Sequence, residues 1–474
     1  MSMTSRRGAT PLTLVLVTMV FALGAVAVGM LLRDITRKQA DARNPFFRVV
    51  ALSDTTTDPA EWGKNFPLHY DQYLRTADMG RTRYGGSEAM PRTRTDRDPR
   101  DTVAQSRLVE DPRLVRMWAG YAFSRDFRED RWHAYMLDDQ IYTERQLAVQ
   151  QPGACLNCHA STYATMVRLG NGNVKQGFEA LNKKPFLEAL KETSQHPVSC
   201  VDCHDPSSMA LRITRPAFMI GIAAYKATLG VKNYDVSTMA TRAEMRTYVC
   251  AQCHVEYYFE GPDKRLTFPW ANGLAGDAIL AFYQKNEHKD WEHKLTGAPV
   301  LKAQHPEFEL FSQGIHAKSG VTCADCHMPF QRVGAQKISN HHVQSPMLMI
   351  NQACQTCHRQ GEEELRLRVT TIQNRTYAMR NIAMDALMAL IADAEKARAA
   401  DPASAALKEA QGFQRQAQFL LDFVEAENSL GFHAPQEAAR LLQQSVDYSR
   451  RGQLALRPLA VPRAGAAGSG RGSQ

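Results

Sequence analysis

Three patterns of apolar and polar positions divide the chain. Gly8 to Leu32 carries no charge and contains a mostly apolar run from Leu12 to Leu32. A run of that length can cross a bilayer as a helix, and Arg6 and Arg7 ahead of it favour a cytoplasmic N-terminus. Ala25-Val26-Ala27 also fits the small-residue pattern of a cleaved export signal. The apolar run continues through Met30, Leu31 and Leu32, which favours an uncleaved anchor. Either way the rest of the chain is exported.

From Arg33 to about Asp101 the pattern is polar, with turn signals at Asp58-Pro59, Gly85-Gly86 and Met90-Pro91 and the charged run R-T-R-T-D-R-D-P-R. Between Arg107 and His358, glycine, proline and polar turns predict short helices and loops rather than sheets. Past Gly361 the period changes. Leu365, Val369, Ile372, Met379 and Ile382 keep helical spacing, as do Phe413, Ala417, Leu420 and Val424. Two long helices are therefore predicted, separated at Asp401-Pro402 with Ser404 in the cap region. Their apolar stripes suit packing on the preceding body or on a second copy of the chain equally well. The divisions are residues 1–35, an anchor or signal; 36–360, the body; 361–457, the long helices; and 458–474, a tail of disordered composition.

The chemistry lies in the body. C-x-x-C-H occurs at Cys155, Cys200, Cys250, Cys323 and Cys354, closing on Cys158, Cys203, Cys253, Cys326 and Cys357, and these motifs use all 10 cysteines of the chain. Two thiols at this spacing reach the two vinyl groups of one haem, and the adjacent imidazole becomes an axial iron ligand. A zinc ribbon needs no fixed His after its cysteine pair, and a disulfide framework needs no spacing rule. Five complete motifs with no spare cysteine specify five covalent c-type haems. The proximal ligands are His159, His204, His254, His327 and His358. The motifs stand too close together for separate domains, so one haem-threaded body of mainly α class with long C-terminal helices is expected.

Charge adds little. The net +8 is not arranged as a basic run interleaved with aromatics, so nucleic acid is not an expected partner. Ten propionates offset part of it, and the remainder can attract a small anion. The 15 histidines leave ten for five sixth coordination positions. An iron with two imidazoles transfers electrons, whereas one with an open position can bind substrate. His316, His433 and His305 have suggestive surroundings, but arithmetic alone does not say which haem stays open.

Several longer segments carry a resemblance. C-A-Q-C-H-V-E-Y-Y-F (Cys250 to Phe259), K-A-Q-H (Lys302 to His305) and W-G-K-N-F-P-L-H-Y (Trp62 to Tyr70) are three of them. W-A-G-Y-A-F-S-R-D-F (Trp118 to Phe127), H-A-K-S-G-V-T-C-A-D-C-H-M-P (His316 to Pro329) and N-S-L-G-F-H (Asn428 to His433) are the others. Together they resemble pentahaem cytochrome c nitrite reductase, from about Trp62 to Gln443. The resemblance implies six-electron reduction of nitrite to ammonium by an exported, mostly helical homodimer. It also implies a membrane quinol-oxidising cytochrome as electron donor.

Carried over residue by residue, the resemblance makes the haem of Cys155, Cys158 and His159 the catalytic one. Its distal pocket would hold Arg145, Tyr257 and His305. One calcium ion would take the Glu256 carboxylate, the Gln304 side-chain oxygen and the carbonyls of Tyr257 and Lys302, since hard oxygens suit this cation. The distal imidazoles would be His133 for the haem at Cys250, His341 for Cys200, His316 for Cys354 and His433 for Cys323. His342 competes with His341, and the downstream Ser-Pro register favours His341. His69, His196, His288, His293 and His342 remain without an assigned role. One departure stands out: most of the family has C-x-x-C-K at the first motif, where this chain has His159.

Two other readings stay open at the sequence level. A related reductase of sulfite or hydroxylamine would share the scaffold, and a non-catalytic electron conduit would need every iron capped twice. Only four distal candidates are evident, and Tyr257, Glu256 and the K-A-Q-H segment have no purpose in a conduit.

Overall fold

The computed structural model describes residues 10–43, 48–334 and 336–457. Residues 1–9 and the tail 458–474 lie outside them. The chain forms two compact units, one of Met1–Ala51 with Lys64–Phe66, the other of the remaining residues.

The first unit is dominated by one helix, Pro11–Arg43, which runs past residue 35. Within Leu14–Gln39 an 18-residue segment reaches a mean hydropathy of 2.6, and none of that segment is buried. It is long and apolar enough to cross a membrane. Beyond it, the Asn65 carboxamide accepts from the backbone of Val49 (2.7 Å) and Val50 (3.1 Å), tying the end of the unit together.

The second unit is built from short helices and loops, as the glycine and proline content predicts. Among the described residues its only sheets are four two-stranded antiparallel hairpins. They are Met90–Pro91 with Thr102–Val103, Tyr258–Glu260 with Arg265–Thr267, Trp291–Glu292 with Pro299–Val300, and Phe330–Val333 with Gln336–Ser339.

The C-terminal region differs from expectation. Three long helices are present, Glu362–Ala400, Ala405–Glu425 and Pro435–Ala455, not two. The second helix ends at Glu425, and the connection to the third turns through Leu430 (φ 50°) and Gly431 (φ 80°), both left-handed. A Cβ at Gly431 would stand 2.5 Å from Thr376 Oγ1, so only glycine lets this turn dock on the first helix. Pro435 then opens the third helix at its first turn. His433 therefore sits in the break, not at a helix end.

The stripe of the first helix also drifts from its predicted line. Ile382 is exposed, and the buried positions run through Leu365, Val369, Thr376, Arg380, Ala383 and Leu387. Arg380 belongs to the stripe because Glu425 (2.5 Å) and Asp111 neutralise it. Apolar counting cannot see such a residue.

The unit has one large apolar core and a smaller one between the C-terminal helices around Leu390, Leu407 and Leu456. Leu156, Ala160 and Val255 beside the haem motifs share the large core with Ala303, Phe308, Phe419, Phe423 and Leu441. Each buried phenylalanine contributes about 1.5–3 kcal/mol. The C-terminal helices thus form the wall against which the K-A-Q-H segment packs.

Candidate functional site

Each C-x-x-C-H lies on or beside a single helical turn, which brings both thiols to one side. Two of these turns are locked by a capping box. Asp202 reaches back to the Ser199 backbone (3.0 Å) and Asp325 to that of Thr322 (2.9 Å), so the residue between the cysteines pins the turn. Gln252 in the third motif acts differently, accepting from the backbone of Thr214 (2.7 Å) and Arg215 (3.1 Å). No disulfide joins any cysteine; nine are half-buried and Cys357 is exposed.

The imidazoles report on what the motifs can hold. Nδ1 of His159, His204 and His327 meets the carbonyl oxygens of Met136 (2.9 Å), Met209 (3.0 Å) and Gln344 (3.0 Å). With Nδ1 donating to a carbonyl, Nε2 is left with its lone pair free for a metal. Two imidazoles bound to opposite sides of one metal, with bonds of about 2 Å, have ring centroids about 6.3 Å apart. His204 and His341 are 6.2 Å apart, His316 and His358 6.3 Å, and His327 and His433 6.4 Å. His133 neighbours His254, whose pKa is lowered first by desolvation and then by His133. Of the adjacent pair, His341 faces His204, with His69 edge-on against it at 5.0 Å.

Two distal imidazoles depend on one close approach. A Cβ at Gly314 would meet the His433 carbonyl at 1.9 Å, so glycine allows the turn carrying His316 to lie against the break carrying His433.

The motifs also touch one another. The thiol of Cys158 lies close enough to that of Cys253 to influence it, and so does that of Cys250 with Cys323. Cys203 lies within electrostatic reach of Cys250, as does Cys326 of Cys354 and Cys357. The first motif is thereby joined to the third, the third to the second and fourth, and the fourth to the fifth.

The first motif opens on a small cavity lined by Ala154, Cys155, Cys158, His159, Tyr257, Phe259, Leu266 and His305. Burial holds His159 down to about 4 and pushes the Tyr257 phenol well above its ordinary range. The positive charge of Arg145 acts on Cys155, His159, Tyr257 and His305 alike. Tyr257 and His305 therefore line this cavity, and Arg145 lies outside its lining but within electrostatic reach of both. Among the described residues Arg145 has no ion-pair partner; it donates to the Asp126 carbonyl (3.3 Å) and lies over the Phe123 ring at 4.5 Å.

The K-A-Q-H segment is held by three carboxylates in succession. Asp290 accepts from the Lys302 backbone (2.9 Å), Asp422 from that of Ala303 (3.0 Å) and Glu256 from that of Gln304 (2.6 Å). The Lys302 ammonium pairs with Asp422 (3.1 Å), beside the faces of Trp118, Phe123 and Phe127. Glu256 is fully buried, and its carboxylate partners are neutral, namely the Tyr283 hydroxyl (2.9 Å) and the Gln304 amide. Burial drives its pKa well up. A buried carboxylate without a cationic partner, beside the Gln304 carboxamide and the Lys302 carbonyl (3.3 Å apart), fits a hard cation. Among the described residues no three His, Cys, Asp or Glu side chains form a metal cluster, and this set has a single carboxylate.

Sequence reasoning did not assign several residues the structure brings in. Phe123, Asp422, Asp290 and Glu427 each contact a named residue, yet none lies beside it in sequence. Arg215 was equally hidden: it donates to the Asn157 (2.6 Å) and Ala160 (3.0 Å) carbonyls and pairs with Asp202 (2.9 Å), joining the first two motifs.

Five thiol pairs on short turns, imidazoles at metal-bridging separation and a mainly helical body define a multihaem c-type cytochrome. The comparisons narrow this. The cytochrome c552 family model matches residues 58–468, and the chain belongs to that family. The chain is 36% identical over 446 residues to cytochrome c-552 of Parabacteroides distasonis, covering 92% of this chain and 83% of that protein. It is 32% identical over 456 residues to cytochrome c-552 of Desulfotalea psychrophila, covering 92% and 82%. Among solved structures it resembles the catalytic subunit of cytochrome c nitrite reductase from Desulfovibrio desulfuricans, for which two calcium sites are described. That likeness has a TM-score of 0.75 and 29% identity over 86% of this chain and 88% of the other.

Proposed function

We propose that this protein reduces nitrite to ammonium at the haem held by Cys155, Cys158 and His159. The observation that carries the reading is that Tyr257 and His305 line the cavity at that motif, with the Arg145 guanidinium within electrostatic reach of both. The haem bound there supplies the iron position that takes nitrite nitrogen and delivers electrons. The chain's own side chains supply the rest. The unpaired Arg145 guanidinium attracts and orients the anion. His305 holds or passes protons to the nitrite oxygens as each N–O bond breaks, and the Tyr257 phenol donates a hydrogen bond or proton. Six electrons and eight protons convert nitrite to ammonium and two waters, so proton delivery matters as much as charge.

His204 with His341, His254 with His133, His327 with His433 and His358 with His316 would hold the irons of the other four haems. The proximity of Cys158 to Cys253 supports a reading in which haems held at Cys155 and Cys250 would lie next to each other and could exchange electrons. A calcium ion held by Glu256, Gln304 and the Lys302 and Tyr257 carbonyls would fix Tyr257 and His305 through their sequence neighbours. The apolar N-terminal helix supports export with membrane attachment. A membrane quinol-oxidising cytochrome is then the electron donor, and the long C-terminal helices pair two copies.

The test is turnover of the fully haem-loaded protein with a reduced dye. Nitrite loss should equal ammonium formed, with six dye electrons consumed per nitrite. Faster turnover of sulfite or hydroxylamine than of nitrite would overturn the substrate, and no turnover of any of them would favour an electron conduit.

A further inference from the structure

Arg145 has an unusual set of anchors for a cation at the edge of a buried pocket. Its side chain makes one long hydrogen bond, to the Asp126 carbonyl at 3.3 Å, and no carboxylate pairs with it among the described residues. What it does have is the face of Phe123, 4.5 Å from the guanidinium carbon. Phe123 is itself held from several directions. It stacks on Tyr121 (5.6 Å, 5° between planes), meets Trp118 edge-on at 5.9 Å, and packs on Phe127 at 5.5 Å. Tyr121 in turn stacks on Trp291 at 4.5 Å.

From this we infer that Phe123 is the positioning residue for Arg145: its ring fixes the guanidinium over the pocket without neutralising it. The choice of a ring has a physical reason. A carboxylate would hold Arg145 more tightly, but it would cancel the charge and occupy the N–H fork that an anion needs. An aromatic face attracts the cation through its quadrupole and leaves those donors free. The same ring also lies 5.1 Å from the Lys302 ammonium, but Lys302 keeps Trp118 at 4.7 Å, Phe127 at 5.9 Å and its pair with Asp422. Removing the Phe123 ring therefore loosens Arg145 selectively.

This rests on the reading that Arg145 faces the substrate anion, and the experiment separates the two. Nitrite affinity of the oxidised, fully haem-loaded protein is measured by absorbance titration for wild type, Phe123→Leu, Phe123→Tyr, Arg145→Gln and the double variant Phe123→Leu/Arg145→Gln. Phe123→Leu should weaken nitrite binding about tenfold and raise KM more than it lowers kcat. Phe123→Tyr, which keeps the face, should restore affinity. In the Arg145→Gln background, Phe123→Leu should have no further effect. A loss in Arg145→Gln with none in Phe123→Leu overturns the positioning role and leaves the anion site standing. Equal losses from Phe123→Leu with and without Arg145 also overturn it, because the ring then acts through general packing. Unchanged affinity in Arg145→Gln overturns both together.

Discussion

The Glu427 carboxylate lies 2.6 Å from Nδ1 of His433, buried behind an imidazole whose other face is turned to His327. The Nδ1 atoms of other imidazoles at the motifs lean on backbone carbonyls, as His204 does on Met209 (3.0 Å) and His341 on Ser339 (2.8 Å). A carboxylate makes the imidazole a stronger donor and stabilises ferric iron. Glu427→Gln should raise the midpoint potential of one low-spin haem, the one at Cys323, and leave the other centres in place. Potentiometric titration followed by absorbance or EPR reads this directly; an unmoved potential would show that the carboxylate has no influence on the iron.

Tyr257→Phe and His305→Ala should retain five haems and the low-spin spectra but lose nitrite turnover. General acid catalysis by a placed side chain contributes about 10²–10⁴-fold, so the loss in His305→Ala should fall in that range. Intact mass and pyridine haemochrome spectra check haem content beside the rate. Full turnover in both variants would move the active site away from the cavity at His159.

Chelator treatment should remove a bound calcium ion and reduce nitrite turnover while the haems remain. Glu256→Gln should do the same without chelator, because the carboxylate is the only formal charge in the proposed ligand set. Elemental analysis in parallel with rate decides the matter, and full activity in calcium-free protein would remove the role assigned to the ion.

Arg215→Met should be among the most damaging substitutions outside the cavity. It strands the buried Asp202 and leaves the Asn157 and Ala160 carbonyls without their donor. Breaking one side of a buried ion pair costs about 3–5 kcal/mol. Denaturant unfolding of haem-loaded protein should show that loss, with lower haem incorporation at the first two motifs. A change under about 1 kcal/mol would mean that solvent reaches the pair after all.

Much of the site was visible along the chain for a simple reason. Both thioether cysteines and the proximal imidazole of each haem lie on one turn, so covalent attachment needs only local order. Glu256 with Tyr257, and Lys302 through His305, were legible as two short segments. Their convergence depends on Asp290, Asp422 and Glu256 gripping successive backbone N–H groups. The C-terminal region was less legible. The break around Leu430 and Gly431 falls in N-S-L-G-F-H-A-P, whose Gly and Pro signal a turn, but the close approach of Gly431 to Thr376 appears only in the fold. Arg380 and Ile382 exchange their expected places because a buried ion pair with Glu425 outweighs side-chain apolarity at that register.

The sequence by itself determined that the chain carries five C-x-x-C-H motifs, is mainly helical and has an apolar helix ahead of its body. These properties depend on neighbours within a few residues or on one periodic face. Tertiary structure decided which histidine stands opposite which motif: His433 against His327, His316 against His358 and His341 against His204. It also decided that Arg145 is held by a ring and not a carboxylate. Those relationships join residues far apart in the chain. They exist only where helix packing and close glycine contacts, at Gly314 and Gly431, bring distant backbone within touching distance.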